Sequence, residues 1–404
     1  MASDYDLIVV GGGIAGSTLA GRVAAAGRRV LVLERERAFR DRVRGEWVPP
    51  WGVVELEKLG IIETLRERAD AHDLPLHHSG VYQLAEHPRD IVKTTSQTRA
   101  ALTFFHPNAQ EALLTWAAEE GAEVIRGARV RRVAQGEGDA RPAVTWGDEG
   151  GEAEARLVVG ADGRNSLVRR VLDREEQTRG DDRLWAGALL TGLDWPSDCA
   201  LWLVDPNTGY LGSVFPLGGD AARVYLGFKG EQRARLSGER DIDVFLETLT
   251  ELLEGRDIFA SATLAGPLAT FDADMRWVER PYENGVALIG DAAGYTDPTW
   301  GQGLSLGFRD ARVLSEALAA DEDWDAAAAA YAIEHDRYFG TTVTAESWID
   351  EVLLSPGAEG DATRARVLEA WRKDRSRDPD GMFNGPDFVA DDQARSRYFA
   401  LDLV

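Results

Sequence analysis

The feature that most limits how this chain can fold is a glycine run set between a strand pattern and a helix pattern. Tyr5 to Val10 is a largely apolar, β-branched run, as expected of a buried parallel strand. Gly11-Gly12-Gly13-Ile14-Ala15-Gly16 follows at once, and Ser17 to Ala26 continues with helical spacing until Gly27 stops it. Strand, tight turn and helix in this order predict the first half of a dinucleotide-binding βαβ unit. Gly11 allows the turn, Gly13 lets a pyrophosphate approach the backbone, and Gly16 lets the helix pack closely on the strand. Free amides and the positive helix end then face the phosphates. A second strand, Arg29 to Leu33, delivers Glu34, 21 positions after Gly13, where a carboxylate accepts hydrogen bonds from adenosine ribose hydroxyls. A 2′-phosphate would be repelled there, so the pattern predicts FAD or NAD and not NADP.

Two later stretches look like further edges of the same pocket. Ala161-Asp162-Gly163-Arg164-Asn165-Ser166 closes the apolar strand Ala155 to Val159. Gly290-Asp291-Ala292-Ala293-Gly294 follows the strand Val286 to Ile289 and leads through Asp297-Pro298-Thr299-Trp300-Gly301-Gln302-Gly303-Leu304 into a helix reaching about Leu318. A glycine-rich lead into a helix N-terminus builds a second anion site. Two such helix ends suit a cofactor with two polar ends. Flavin fits, because its reduction puts negative charge on the N1 and C2 carbonyl edge.

Taken together, the three motifs resemble those of flavoprotein monooxygenases similar to p-hydroxybenzoate hydroxylase. That superfamily also includes flavin-dependent halogenases and geranylgeranyl reductases. The resemblance runs from about residue 5 to residue 345. It implies that Gly11, Gly13, Ile14, Ala15, Gly16, Glu34 and Arg35 hold the ADP half of FAD. It further implies that Asp162 and Gly163 touch the pyrophosphate and an incoming nicotinamide nucleotide, and that Gly290 and Asp291 meet the ribityl chain. Gly301, Gln302, Gly303 and Leu304 would lie beside the isoalloxazine ring. Arg44, within Arg42-Val43-Arg44-Gly45-Glu46, stands where the family steadies FAD with an arginine, and His106 stands where many relatives carry one. In that family O2 adds to reduced flavin at C4a and the peroxide passes an oxygen atom to an electron-rich substrate. The cofactor thus carries the hard chemistry. With no second glycine fingerprint, NAD(P)H is implied as a transient reductant beside tightly but non-covalently held FAD.

The expected fold class is α/β: a Rossmann-like FAD-binding domain of the glutathione reductase type, an inserted mixed or antiparallel β-sheet substrate domain, and a C-terminal helical segment. Leu184 to Leu193, Ala200 to Val204, Tyr210 to Phe215 and Arg223 to Phe228 read as strands of that second sheet. Since the flavin motifs flank them, the cofactor domain is expected to be discontinuous, over 1–75, 100–170 and 265–345. The substrate domain then takes 76–99 and 171–264, and the tail 346–404. Glu123 to Ile125 and Val130 to Val133 are expected to form a hairpin or small sheet, and Asp361 to Lys373 a helix.

Sixty-nine acidic against 45 basic residues leave a net charge of -24, which repels nucleic acid and anionic lipid surfaces. No stretch of eighteen apolar residues occurs, and the N-terminus Met-Ala-Ser-Asp has no signal character. A cytoplasmic monomer or homodimer is expected, with no nucleic-acid or membrane partner. The single cysteine, Cys199, excludes an internal disulfide framework. There is no metal-ligand cluster, and no catalytic residue is assigned; His72, His77 and His78 read as solvated in a polar loop. The remaining chemistry is aromatic. Trp47, Trp51, Trp185, Trp202, Tyr210, Phe215 and Trp300 are expected to wall a cavity for a small aromatic or hydrophobic, polyketide-like substrate, with Asp297 as a polar group near the ring.

Hydroxylation with NAD(P)H and O2 is therefore the reaction expected. Gly294 stands where many aromatic hydroxylases have histidine, a form shared with halogenases and prenyl reductases, and Ser305 replaces a common asparagine. A halogenase-like enzyme or a dehydrogenase/reductase is the alternative, and a non-catalytic flavin-binding protein a third. Against halogenation, Tyr210 to Pro216 lacks the Trp-x-Trp-x-Ile-Pro pattern, and Lys93 alone is near the place of an active lysine.

Overall fold

The computed structural model describes residues 3–138, 140–148, 150–179 and 183–403; Met1, Ala2 and the expected limit at Val404 lie outside them. Five parallel strands run through the first sheet, which has eight strands among the described residues, in the order Glu123–Arg126, Val30–Glu34, Ser3–Val10, Gly151–Gly160, Val286–Leu288. Alternation along each strand divides its side chains between two faces. Leu7, Val9, Val32, Leu157 and Val159 turn to one face and pack with helices Ile14–Ala25, Gly303–Ala320 and Trp324–Leu353. Ile8, Val10, Leu31, Leu33 and Val158 turn to the other. Each of these fully covered aliphatic side chains contributes about 1.5–3 kcal/mol.

Glu123–Arg126 corrects the expected small sheet: it pairs in parallel with Val30–Glu34 at the sheet edge. Val130–Ala134 instead pairs antiparallel with Ala143–Trp146, which continues onto Gly151–Gly160.

The second sheet has nine strands, drawn from Leu76–Asp90 and from Arg183–Asp272. Its central pairs are antiparallel, except that Cys199–Asp205 runs parallel to Leu76–Val81. Ala186, Ala188, Leu201, Leu203, Val214, Val224 and Leu226 point to a core closed by helix Ile242–Leu252. The alternate positions Trp185, Trp202, Phe215 and Tyr225 point the other way. They face the first sheet across a cavity.

The C-terminal segment folds back over this region. Its helix spans Gly357–Lys373, starting one turn before the expected Asp361. Beyond it, Asp380 pairs with Arg89 at 2.5 Å, Asn384 accepts the Ser96 N–H at 3.0 Å, and Asp387 grips Arg309 at 2.7 Å. Met382 thereby reaches the cavity wall.

Candidate active site

The carboxyl ends of the parallel strands open into a cavity of about 1250 Å³, the position where open α/β sheets bind ligands. A pocket for one small ligand spans roughly 300–1,000 Å³, so this cavity has room for two bodies. Its first edge is the glycine turn. Gly11 takes φ +105°, and a Cβ there would lie 2.4 Å from the Ala161 carbonyl oxygen. Gly16 is not on the cavity wall; it lets the helix touch the strand, since its Cβ would lie 2.1 Å from the Gly11 carbonyl oxygen. Gly13, the helix N-cap, would meet nothing closer than Gln110 at 3.8 Å, and no side chain caps the helix. Its first N–H groups are left for an anion. Glu34 is buried and accepts the Gly12 N–H and the Glu36 N–H, both at 2.7 Å. A carboxylate has about four acceptor positions, so two remain for hydroxyls. These residues fit the adenosine diphosphate end of a dinucleotide.

The other two motifs close on the same space. Gly163, at φ +80°, would meet nothing within 4 Å if it carried a Cβ. Asp162, although on the wall, spends its carboxylate on the turn itself, accepting the Leu167 N–H at 2.6 Å and the Val168 N–H at 3.3 Å. Arg169 then ties this motif to the third by donating to the carbonyl oxygens of Asp291 at 3.2 Å and Ala292 at 3.1 Å. Gly290 is fixed from below, its N–H donating to buried Asp310 at 2.6 Å. Ile14, Ala15, Arg35, Gly290 and Asp291 all line the cavity. Arg44 does so as well; the surrounding protein draws its guanidinium below the ordinary value, with Asp291 opposing.

The second helix end is equally open. Gly303–Ala320 has no side-chain cap, and Gly303 and Leu304 are on the wall. Gln302 is not: its amide turns away, accepting from the Trp51 indole N–H at 2.9 Å and lying 3.4 Å from the Met382 carbonyl oxygen. Gly301 takes φ +65°, and a Cβ there would lie 2.6 Å from the Trp47 ring. Gly301→Ala is therefore expected to cost about 1–3 kcal/mol of backbone strain and to push Trp47 aside. Urea denaturation would show the first effect and altered tryptophan fluorescence the second.

Of the expected substrate residues, Trp47, Trp202, Phe215 and Trp300 line the cavity. Trp47 stacks on Phe215 at 5.7 Å, and Trp202 lies 5.0 Å from Trp300. Tyr210 does not join them. It is an odd number of residues from Phe215 on one strand, so it points to the opposite face and packs into the helix-covered core. Asp297 is also turned away, accepting the Thr299 N–H at 2.8 Å and pairing with Arg183 at 3.2 Å. Burial raises its carboxyl to about 6 against the pull of Arg183. Trp51 sits beneath the Arg309 guanidinium, outside the cavity, and Lys93 pairs with Asp90 at the surface.

Sequence reading missed Tyr225, Phe271, His77 and Met382, all on the wall. Tyr225 donates to the Arg44 carbonyl oxygen at 2.6 Å, joining the aromatic end to the arginine loop. Below that loop, Glu46 accepts Arg223 at 2.8 Å and the His106 N–H at 2.9 Å, with Glu46 and Arg223 both removed from solvent. His106 itself bonds the Gly45 carbonyl oxygen at 2.9 Å.

His77 overturns its expected solvated place. It lies in strand Leu76–Val81, is buried, and its imidazole is held down at about 3 by burial first, then by Arg89 and His78. The native state thus leaves it neutral between about pH 3 and 6.5, where the unfolded chain binds a proton, so stability falls as pH drops through that window. From an unfolded value of about 6.5, the loss between pH 7 and 5 is about 2 kcal/mol. His77→Phe should lose less stability than the parent by about that amount, as read from urea midpoints at the two pH values.

Comparison with known proteins agrees with this geometry. The family described as FAD binding domain matches residues 4–335. The chain is 28% identical to digeranylgeranylglycerophospholipid reductase 2 of Methanopyrus kandleri, over 84% of this chain and 84% of that protein. It is 29% identical to 6-methylpretetramide 4-monooxygenase of Streptomyces rimosus, over 76% and 73%. The fold resembles p-nitrophenol 4-monooxygenase PnpA of Pseudomonas putida, with TM-score 0.79 and 20% identity over 96% of this chain and all of that one. The chain therefore belongs to the FAD-binding domain family. It is an oxidoreductase, similar to FAD-dependent monooxygenases and reductases.

Proposed function

We propose that this enzyme is an FAD-dependent monooxygenase that uses NAD(P)H and O2 to hydroxylate a small aromatic or polyketide-like substrate, in the cytoplasm and as a monomer or homodimer. The observation that carries this reading is one cavity in which a dinucleotide cradle and an aromatic chamber meet, at Trp47 over Gly301. In this reading the N-terminus of Ile14–Ala25 takes the pyrophosphate, Glu34 the ribose, and the uncapped end of Gly303–Ala320 the charge that gathers on reduced flavin. Arg44, on the same cavity wall, would neutralise negative charge on the bound cofactor. Bound FAD supplies electron transfer and oxygen activation. The chain's own part is to orient an aromatic substrate among Trp47, Trp202, Phe215 and Trp300, and to keep water from it. Among the described residues no helix is long and apolar enough to cross a membrane.

Purified protein loaded with FAD should oxidise NADH or NADPH faster when an aromatic ligand is added, consume O2, and release a product heavier by one oxygen. Absence of any ligand-dependent NAD(P)H oxidation overturns the reading. A second reading, reduction of a double bond, is favoured by the likeness to the archaeal reductase and by the Gly290 to Gly294 motif. Turnover that persists without O2 would select it.

A further inference from the structure

Register in the second sheet separates two adjacent histidines. His78 turns outward, stacks on Trp195 at 5.8 Å and bonds the Ala85 carbonyl oxygen at 2.7 Å. His77 turns inward, onto the cavity wall between Trp47 at 6.3 Å and Phe383 at 5.2 Å. Its imidazole makes no hydrogen bond with a described residue, yet its nitrogens are not among the sealed, partnerless polar atoms, unlike the indole N–H groups of Trp47, Trp185 and Trp202. A neutral imidazole has one donor and one acceptor, and here both are left to whatever enters the cavity.

The surroundings restrict that guest. The cation nearest in effect, Arg89, lies over the Phe383 ring at 4.9 Å and is already paired with Asp380 at 2.5 Å. A carboxylate brought to His77 would find Arg89 already paired with Asp380, and burial resists protonating the ring. An uncharged hydroxyl on an aromatic ring meets no such penalty: it donates to the free imidazole nitrogen while its ring contacts Trp47.

Building on the function proposed above, we propose that His77 is a specificity-determining residue that selects uncharged, hydroxyl-bearing aromatic substrates by accepting the hydroxyl hydrogen bond. The test is titration of the FAD-loaded protein with naphthalene, 1-naphthol and 1-naphthoate, following tryptophan fluorescence and flavin absorbance together. The parent protein should bind 1-naphthol about three- to tenfold more tightly than naphthalene and 1-naphthoate most weakly. His77→Phe should erase the hydroxyl preference while keeping naphthalene affinity, and His77→Asn, which retains a polar partner, should restore part of it. His77→Met replaces the phenylalanine variant if that one does not fold. A hydroxyl preference that survives in the apolar variant, or tightest binding of 1-naphthoate by the parent, overturns the proposal. Protein that takes up no FAD would overturn the enzymatic reading instead, while the fluorescence titration still reports hydroxyl selection.

Discussion

Gly11→Val should yield a protein that retains no FAD after gel filtration. The glycine adopts φ +105°, a region closed to β-branched residues, and the new side chain would begin 2.4 Å from the Ala161 carbonyl oxygen. Strain of about 1–3 kcal/mol adds to a clash between two backbones, which cannot move apart without breaking the parallel pairing of Ser3–Val10 with Gly151–Gly160. The turn would open, the Gly12 N–H would leave Glu34, and the pyrophosphate cradle would be lost. Flavin absorbance of the purified variant measures this directly, and undiminished FAD content would show that the turn does not hold the cofactor. Gly27→Val is the matched control, since Gly27 shares the left-handed backbone at φ +78° but a Cβ there meets nothing within 4 Å.

The second large effect concerns the ion pair under the arginine loop. Glu46→Ala leaves Arg223, which has no solvent contact, with Asp41 at 2.9 Å as its remaining anion. Breaking one side of a buried pair costs about 3–5 kcal/mol. Burial pushes the Glu46 carboxyl up against the pull of Arg223 and the His106 N–H. The urea midpoint of Glu46→Ala should drop accordingly, and the double variant Glu46→Ala/Arg223→Met should recover part of the loss because the fully buried guanidinium is gone, leaving only Asp41, which is 13% exposed and also accepts the Val43 N–H. A double variant as unstable as the single one would place the cost in packing instead.

The flavin cradle was legible in the sequence because its constraints are local. A turn needing positive φ, a helix packed on a strand and a carboxylate ending the next strand are each written within a few neighbouring residues. What escaped depends on partners distant in the chain. Glu123–Arg126 has short apolar character that suits a hairpin as well as a sheet edge; its parallel partner, Val30–Glu34, lies ninety residues away. His77 sits in a stretch whose polar residues read as loop, and it becomes buried because Cys199–Asp205 pairs with it. Tyr210 was the avoidable error: parity alone separates it from Phe215 on a single strand. Asp162 lies on the cavity wall and Asp297 does not, and each spends its carboxylate on its own turn.

Met382 forms part of the cavity wall, yet it lies beyond residues 4–335, the span shared with the family. The shared span carries the cofactor cradle, whereas Met382 and Phe383 are held in place by side-chain ties such as Arg89 to Asp380. The chamber's ceiling at Met382 can thus be exchanged without altering any residue of the glycine turn, Glu34 or the Gly290 to Gly294 stretch.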